Sequence, residues 1–386
     1  MGFTARRTRA VYWNKIPSPY MVERFNAVAE RGNIDFEAWF SARTAPDRSW
    51  DVVESSWNFR WRYLPTIPGR GGRFALPSPV FSTQVPDVLV SLYASPSFLI
   101  GWQIARLRGV RTAFWVEPTH DTWFRRRTWR EWLKHRIFPR VDGIFTTGED
   151  GRRFAERYGA STDRIYPLPY FAAFDEFARS AEAARPTRAE TRRELGLRGV
   201  TFVYVGRFWW GKGLPYLLDA FAAMQKTLRV ESTLLLVGDG EEEDALRQRA
   251  ADLGVNIVFL GFTQRGDLPR VLVAADALVF PTLGDPFGLV VEEAMACALP
   301  VISTSAAGEI HTRIREGVTG FVVPPRDVDA LESRMAELAS DTERRQVMGA
   351  AASESVRGLT PALWAELFEE GVNAINVRRR PTGRRS

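Results

Sequence analysis

Two segments in the second half of the chain combine charged side chains with glycines at predicted strand ends. In VGRFWWGKG (205–213), Arg207 directly follows a predicted strand and Lys212 precedes the next predicted helix. Two cations on one loop at the carboxyl end of a strand can neutralise a diphosphate leaving group without a metal ion. The segment is not the phosphate loop GxxxxGK[ST], and no GxGxxG follows a predicted strand, which disfavours kinases, simple ATPases and dinucleotide dehydrogenases.

The second segment, FPTLGDPFGLVVEEAMACALPV (280–301), predicts a strand, a loop that carries Asp285, and a helix that begins near Gly288. The free N–H groups and the positive dipole end of a helix start bind anions, so we expect a phosphate there. Glu293 is predicted to lie more than one turn inside this helix, where its carboxylate could accept hydrogen bonds from sugar hydroxyls. Glu292 points about 100° away, because an α-helix has about 3.6 residues per turn.

Parallel strands must position these two segments, and the hydrophobic pattern predicts such strands in both halves of the chain. Short apolar strands alternate with amphipathic helices over residues 10–158 and again over residues 201–338. In the second half the predicted strands are 201–205, 233–237, 257–260, 277–280, 301–303 and 320–323. This alternation is typical of parallel βαβ units. We therefore expect an α/β protein with two doubly wound, Rossmann-like domains facing across a cleft, with ligands beyond the carboxyl ends of the strands.

The predicted domain boundaries follow the places where the strand pattern stops and restarts. Residues 1–172 form the first domain, residues 173–199 an Ala-, Arg- and Glu-rich linker with room for one helix, and residues 200–360 the second domain. Residues 361–377 form a closing amphipathic helix that we expect to pack back on the first domain. Residues 378–386 form a basic tail.

Composition limits the class and the compartment of the protein. The chain has 386 residues, of which 45% are hydrophobic and 25% charged, which excludes a collagen, a disulfide scaffold and a disordered chain. The single cysteine, Cys297, allows no internal disulfide and favours a reducing compartment. The apolar run at 11–13 is too short for a signal-peptide core, and the tract at 88–105 is interrupted by polar residues. We expect a cytoplasmic protein, soluble or peripheral on the inner face of the membrane.

The net charge of +6 is unevenly distributed along the chain, with +9 in residues 1–185, −8 in residues 186–377 and +5 in residues 378–386. The segment WFRRRTWREWLKHRIFPR (123–140) interleaves aromatic and basic residues, as an amphipathic helix at an anionic bilayer surface would. A half-buried helix with a solvated basic face is the alternative. Tryptophans of the first half are expected in the core, with sugar stacking or lipid contact as the alternative; they include Trp50, Trp57, Trp61 and Trp123.

Nearly all of residues 200–338 resembles the family 4 retaining glycosyltransferases of the GT-B fold, also called glycosyl transferases group 1. The resemblance rests on VGRFWWGKGLPYLLDAF, LLLVGDGEEEDAL, IVFLGF, residues 285–293 in place of an E-x7-E signature, and AAGEIHTRIREGVTGFVVPPRD. It implies transfer of a sugar, with retention, from a nucleotide-diphosphate sugar to a saccharide or lipid-linked acceptor on the first domain. It further implies that no metal is required and that the product belongs to cell-envelope polysaccharide or glycolipid.

The resemblance also implies roles for individual residues. Arg207 and Lys212 would bind the donor diphosphate, and Glu293 would hold the ribose. Asp285 would contact the hydroxyls of the donor sugar, and it forms the implied catalytic set with His120, Arg207 and Lys212. The other implied donor-binding positions are Gly206, Gly261, Phe262, Phe287, Gly288 and Leu289.

Several positions depart from the family pattern. Asp285 stands where the family usually has Glu, so its carboxylate reaches one methylene less far, and Ala298 replaces a common Gly. Residues 16–20 (IPSPY) stand where the family often has a Gly-Gly loop that admits the diphosphate. His120, in FWVEPTHD, follows a strand where the family tends to place a His near the donor sugar, and Glu117 is its rival for that role.

Two other classes stay open from the residues alone. One is a sugar-nucleotide epimerase on the same fold, and the other is a non-catalytic nucleotide-sugar or polyanion-binding protein that uses the basic face. His135 and His311 have no metal-ligand spacing to cysteines or carboxylates, so no metal site is expected. We expect no cofactor besides the nucleotide-sugar substrate and no nucleic-acid partner.

Overall fold

The computed structural model describes residues 6–44, 52–69, 72–75, 85–92, 96–117 and 128–378. The chain divides into two units, each with its own parallel sheet. Unit 1 consists of Met1–Pro118, Arg126–Ala172 and Thr360–Ser386, and unit 2 consists of Thr119–Arg125 and Ala173–Leu359. Among the described helices, none is both long enough and apolar enough to cross a bilayer.

Unit 1 contains a seven-stranded sheet and a small antiparallel hairpin. The sheet strands are β1 (Arg9–Asn14), β2 (Asp35–Phe40), β3 (Arg60–Tyr63), β6 (Val88–Leu92), β7 (Arg111–Val116), β8 (Gly143–Thr146) and β9 (Ile165–Pro167), and the hairpin is β4 (Thr66–Gly69) with β5 (Gly72–Ala75). The strand order is β3-β2-β1-β6-β7-β8-β9, and every pair in the sheet is parallel. The order reverses between β1 and β6, as in doubly wound sheets.

The helices of unit 1 include the last helix of the chain. They are α1 (Pro19–Arg31), α2 (Pro96–Leu107), α3 (Thr128–Ile137), α4 (Glu149–Arg157) and α14 (Pro361–Val377). Ser18 caps α1 by accepting from the N–H of Met21, and Thr360 caps α14 by accepting from the N–H of Leu363. The α14 helix packs against α1, β6, β7 and β8. The final segment of the chain therefore completes the core of unit 1.

The core of unit 1 is rich in aromatic side chains. Trp364 of α14 is fully buried and stacks on Phe368 with ring centroids 5.1 Å apart. Trp57 is half-buried and stacks on Phe59, and Trp61 meets Trp57 edge to face. These contacts agree with a packing role for the two tryptophans. Trp50 and Trp123 lie outside the described residues.

The basic aromatic segment 123–140 is only partly described. Its described part contains α3 and a 3-10 turn at Phe138–Arg140, whereas residues 123–127 are outside the described residues. Phe138 and Ile137 are buried, and Trp132 is 58% exposed. The segment therefore combines a buried apolar side with an exposed tryptophan.

Unit 2 contains a six-stranded sheet. Its strands are β10 (Val200–Val205), β11 (Ser232–Val237), β12 (Ile257–Gly261), β13 (Ala277–Phe280), β14 (Val301–Thr304) and β15 (Gly320–Val323). All pairs are parallel, and the order is β12-β11-β10-β13-β14-β15. The predicted strands agree with these bounds to within one residue at each end. The order reverses between β10 and β13, which is the position where doubly wound sheets bind ligands.

The helices of unit 2 begin before its first strand. They are α5 (Phe174–Ala184), α6 (Arg188–Glu194), α7 (Leu214–Leu228), α8 (Glu243–Leu253), α9 (Leu268–Ala274), α10 (Val290–Ala296), α11 (Ile310–Arg313), α12 (Val328–Ser340) and α13 (Thr342–Ser355). The predicted linker 173–199 is thus largely helical, and α5 packs on α9 and α10 while α6 packs on α9. The reason is that Phe174, Phe177 and Ala181 bury one face of α5.

Candidate functional site

The predicted functional residues of unit 2 lie on loops that follow parallel strands. Lys212 lies on the loop after β10, and Asp285 lies on the loop after β13. Since β10 and β13 are neighbours in the sheet, both loops leave the same edge at the point where the strand order reverses. The fold therefore brings together two residues that are 73 positions apart in sequence.

The backbones of these two loops are joined directly. The N–H of Leu283 donates to the carbonyl of Gly211 at 2.9 Å, and the hydroxyl of Thr282 donates to the same carbonyl at 3.2 Å. Gly213 has φ +67°, and a Cβ there would overlap the carbonyl oxygen of Pro281. Lys212 is consequently held by a short 3-10 turn, Trp210–Lys212, that rests on the Asp285 loop.

Lys212 and Asp285 form an ion pair through Nζ and Oδ2. Each side chain is only 15% exposed, and the ammonium group lies 5.2 Å from the ring centroid of Phe280. The other carboxylate oxygen of Asp285 accepts from the N–H of Phe287 at 2.9 Å. Both ends of the pair therefore have a second contact that fixes their orientation.

The Asp285 carboxyl group is kept ionised by its surroundings. Burial by itself raises the pKa of Asp285. The charge and hydrogen bond of Lys212, followed by the Phe287 N–H and the charge of Arg313, outweigh burial, so this pKa lies below its usual range. Asp285 is thus a hydrogen-bond acceptor near neutral pH and cannot serve as a general acid there.

The backbone of Asp285 is also attached to the loop that follows β14. Its N–H donates to the carbonyl of Ala306 at 3.3 Å, and its carbonyl accepts from the N–H of Gly308 at 2.8 Å. A Cβ at Gly308 would overlap the carbonyl oxygen of Pro286. The loops after β13 and β14 therefore approach each other too closely for a side chain at position 308.

The helix after Asp285 begins later than the sequence indicates. The first helical residue of α10 is Val290, not Gly288. Gly288 has φ +74°, a left-handed conformation that an α-helix cannot contain, and a Cβ there would lie 2.6 Å from the Phe280 ring. As a result, Glu293 lies in the first turn of α10 and not more than a turn inside it.

The two adjacent glutamates of α10 face different partners. Glu292 binds Arg313 with both carboxylate oxygens, and Arg313 is itself 7% exposed. Glu293 is 3% exposed, and its Oε1 lies 3.7 Å from Nε of Arg265. The roles of Arg313 and Arg265 are not predictable from the sequence, because partners 21 and 28 positions away leave no periodic signal in one sequence.

Two further glycines let the loop after β11 approach the loop after β10. A Cβ at Gly238 would overlap the carbonyl oxygen of Gly206, and one at Gly240 would overlap that of Phe208. The N–H of Phe208 donates to the carbonyl of Asp239 at 2.6 Å. The sequence VGDG was part of the resemblance, but its packing role is visible only in the structure.

The remaining predicted donor-binding residues of unit 2 lie along this edge of the sheet. Arg207 is exposed on the loop after β10, and its carbonyl accepts from the hydroxyl of Tyr204 at 2.9 Å. Gly261 ends β12, and its carbonyl accepts from the N–H of Gly238 at 2.8 Å. Phe262 follows and is 48% exposed. The N–H of Phe287, predicted to face the donor, binds Asp285 in this structure.

The predicted residues of the first half are described in part. His120 lies outside the described residues. Glu117 directly follows β7 and accepts from the hydroxyl of Tyr170. The IPSPY segment leads into α1, where Ser18 is the N-cap and Pro19 is the first helical residue. Within the described part of the chain, no group of three His, Cys, Asp or Glu side chains is placed to hold a metal ion.

Comparison with known proteins identifies relatives along much of the chain. A family model described as "Glycosyl transferases group 1" matches residues 187–355. The chain is 30% identical over 268 residues to the GDP-mannose-dependent alpha-(1-6)-phosphatidylinositol monomannoside mannosyltransferase of Mycolicibacterium smegmatis, covering 67% of this chain and 68% of that protein. It is 31% identical over 235 residues to the D-inositol 3-phosphate glycosyltransferase of Kribbella flavida, covering 58% and 54%. The chain spans about half the length of several such curated relatives.

Solved structures with the same fold are more distant in sequence. The crystal structure of Anabaena HepE in complex with UDP and glucose matches with a TM-score of 0.75 at 17% identity, over 95% of this chain and 100% of that one. WaaG, a glycosyltransferase involved in lipopolysaccharide biosynthesis, matches with a TM-score of 0.71 at 17% identity, over 94% and 98%. These matches confirm the predicted α/β fold of GT-B type, with two Rossmann-like parallel-sheet units. The mycobacterial relative, together with the family model, leads to one conclusion: the chain belongs to the glycosyl transferases group 1 family.

Proposed function

We propose that this protein is a family 4 retaining glycosyltransferase that moves a sugar from a nucleotide-diphosphate sugar to an acceptor hydroxyl. The observation that carries the proposal is the ion pair between Lys212 and Asp285 at the reversal point of the unit 2 sheet. Arg207 lies on the same loop as Lys212, so two cations and one ionised carboxylate lie at the edge where such sheets bind ligands.

The reaction needs charge stabilisation more than it needs an acid. The bond between the sugar C1 and the diphosphate oxygen breaks, and a new bond forms between C1 and the acceptor oxygen. The acceptor proton passes to the departing diphosphate, and the acceptor enters on the face that the diphosphate leaves, which retains the configuration at C1. Lys212 and Arg207 offset the charge that develops on the diphosphate, so no metal ion is needed.

The carboxylates have binding roles in this reaction. Asp285 accepts hydrogen bonds from hydroxyls of the donor sugar, for which its low pKa and fixed orientation suit it. Glu293 holds the ribose, and the backbone N–H groups of Gly288 and Leu289 face the sugar and the phosphates. His120, with Glu117 as its rival, is the proposed active-site residue of the first half of the chain.

The relatives indicate which donors and acceptors to try first. The mycobacterial relative is named for GDP-mannose and a phosphatidylinositol mannoside, and HepE was crystallised with UDP and glucose. We propose a UDP- or GDP-sugar as donor and a saccharide or lipid-linked acceptor of the cell envelope. The proposed location is the cytoplasm, with reversible attachment to the inner face of the membrane.

A donor screen tests the proposal. The purified full chain is incubated with UDP-, GDP- and dTDP-sugars, each with inositol phosphate, phosphatidylinositol and oligosaccharide acceptors, in the presence and absence of EDTA. We expect release of nucleoside diphosphate that depends on an acceptor and persists in EDTA, with a product of the donor's anomeric configuration by NMR.

Three results would contradict the proposal. Absence of turnover with every donor would count against a transferase, and epimerised donor without acceptor would identify an epimerase. A non-catalytic nucleotide-sugar or polyanion-binding protein is indicated if Lys212→Ala leaves nucleotide-sugar affinity unchanged while deletion of residues 379–386 abolishes it.

The surface of α2 and α3 supports the proposed membrane attachment. Ile100, Leu107 and Trp132 are 53%, 78% and 58% exposed and lie beside one another around a shallow groove. Arg106 and Arg136 flank them, with their guanidinium groups over the rings of Trp102 and Trp132. Exposed apolar side chains among arginines suit an anionic bilayer, since the apolar groups enter the interface and the cations bind headgroups.

Vesicle binding tests this surface. The Ile100→Glu/Trp132→Glu double variant should lose most of its co-sedimentation with phosphatidylglycerol vesicles, while retaining nucleotide binding. Val347→Glu is the matched control, because Val347 is 64% exposed on α13 of unit 2. Equal sedimentation of the double variant and the wild type would rule out this surface as the membrane contact.

A further inference from the structure

Arg313 is the most completely bonded arginine at the candidate site. Its Nε and Nη2 donate to the two carboxylate oxygens of Glu292, and Nη2 also donates to the carbonyl of Gly288 at 2.9 Å. Its Nη1 donates to the carbonyls of Phe287 and of Gly308, the latter at 3.0 Å. All five N–H groups of the guanidinium are thus used.

These contacts determine which way two peptide groups point. In a trans peptide the C=O of one residue and the N–H of the next point in opposite directions, and the described chain has no cis peptide. The carbonyls of Phe287 and Gly288 point toward Arg313. The N–H groups of Gly288 and Leu289 therefore point away from it, and these are two of the amides assigned to the donor.

The guanidinium group of Arg313 also packs against an aromatic ring. The guanidinium lies 3.7 Å from the ring centroid of Phe287, and the Arg313 side chain is 7% exposed. Its charge is paired with that of Glu292. A lysine could not replace it, because one ammonium group cannot bind a carboxylate and three separate carbonyls in a planar fork.

We propose that Arg313 is a positioning residue for donor binding, which acts by turning the Gly288 and Leu289 amides toward the diphosphate. This inference rests on the proposed function, because it assigns the phosphate as the ligand of those amides. Arg313 binds the carbonyl side of these two peptides, so this proposal assigns it no contact with the donor. We therefore expect its loss to weaken the phosphate contacts more than the nucleoside contacts.

Calorimetric titration of Arg313→Lys and Arg313→Met with UDP, GDP, uridine and guanosine tests this role. We expect both variants to lose roughly 30-fold in affinity for the diphosphate that the wild type binds, which corresponds to two misaligned hydrogen bonds to an anion. Affinity for the matching nucleoside should stay within about twofold. A merely structural loss would weaken both ligands together.

Arg192→Met is the matched control. Arg192 binds Asp276 and the carbonyls of Ala274 and Gly199, near the amino ends of β10 and β13. Its loss should lower the thermal midpoint without changing the ratio of diphosphate to nucleoside affinity. If Arg313→Met does not fold, the ratio of diphosphate to nucleoside affinity is measured on Arg313→Lys and Glu292→Gln instead.

The outcomes separate the two proposals. If the wild type binds the diphosphates and every Arg313 and Glu292 variant binds them equally well, the positioning role is overturned and the transferase proposal stands. If the wild type binds no nucleoside diphosphate, the proposed function fails and the positioning role fails with it. Selective loss of diphosphate affinity in the variants supports the role.

Discussion

Replacement of Lys212 by methionine tests the central ion pair of the site. Lys212→Met removes the ammonium group and keeps an unbranched apolar side chain. Asp285 would then be a carboxylate that is 15% exposed, with the Phe287 N–H at 2.9 Å as its remaining close partner. Removal of one partner from a buried pair costs about 3 to 5 kcal/mol, and residual exposure and the retained hydrogen bond reduce this to about 2 to 3 kcal/mol. For a unit of this size the thermal midpoint should fall by roughly 5 to 10 °C.

The loss of stability in Lys212→Met should depend on pH, and its direction follows from the ionisation of Asp285. In the wild type the Asp285 pKa lies below its ordinary value of 3.8, since Lys212 outweighs the opposing effect of burial. The stability from this group is therefore fully present above the ordinary pKa and is lost as pH falls through the lower folded pKa. In Lys212→Met burial dominates and raises the Asp285 pKa, so the variant regains stability as pH falls through that raised pKa. The stability difference between the two proteins should shrink from pH 7.5 toward pH 4.5.

A double-mutant cycle measures the pair itself. Urea unfolding of the wild type, Lys212→Met, Asp285→Asn and the double variant should give a coupling of about 1.5 kcal/mol or more at pH 7.5. Asparagine keeps the shape of Asp285 and removes its charge, so the double variant should be more stable than Lys212→Met alone. A coupling below about 0.5 kcal/mol, or a difference that does not change with pH, would refute this account of the site.

Three further predictions address other contacts. Gly308→Ala should lower the free energy of unfolding by about 1 to 3 kcal/mol and weaken UDP or GDP binding, because its Cβ would overlap a carbonyl oxygen of the β13–α10 loop. Gly266→Ala is the control: its Cβ would have open space around it, so the thermal midpoint should not change. Glu293→Gln should abolish the preference for UDP or GDP over the 2′-deoxy analogue in titrations if Glu293 holds the ribose, and an unaltered preference would exclude that role. Trp364→Ala should cost about 3 to 5 kcal/mol in urea unfolding, because Trp364 is fully buried, whereas Val377→Ala should cost almost nothing at 80% exposure.

The strands of unit 2 were predictable because buried parallel strands are short, continuous apolar runs between glycines and polar turns. The six predicted strands match β10 to β15 to within one residue at each end. Helices with weaker amphipathic patterns were not found. The α13 helix buries only Met348, Gly349 and Ala352, so its sequence shows little apolar periodicity. Residues 173–199 were predicted to form a linker with room for one helix, whereas two helices occupy most of this segment.

The start of α10 shows that a residue type by itself can predict the wrong helix boundary. Glycine at 288 predicts an open helix start, yet the residue adopts φ +74° and delays the helix to Val290. The Phe280 ring, from the end of β13, occupies the space that a Cβ would need. That requirement comes from a residue eight positions earlier and is not a property of the glycine's immediate neighbours.

The sequence by itself determined the α/β class, the strands of the unit 2 sheet and the loops that carry Lys212 and Asp285, because hydrophobic periodicity and turn residues are local properties. Only the tertiary structure decided that these two side chains form an ion pair and that Arg313 binds Glu292 and three carbonyls. Those contacts exist because neighbouring parallel strands bring their following loops to one edge of the sheet. The same local sequences would not form these contacts if their loops did not lie side by side.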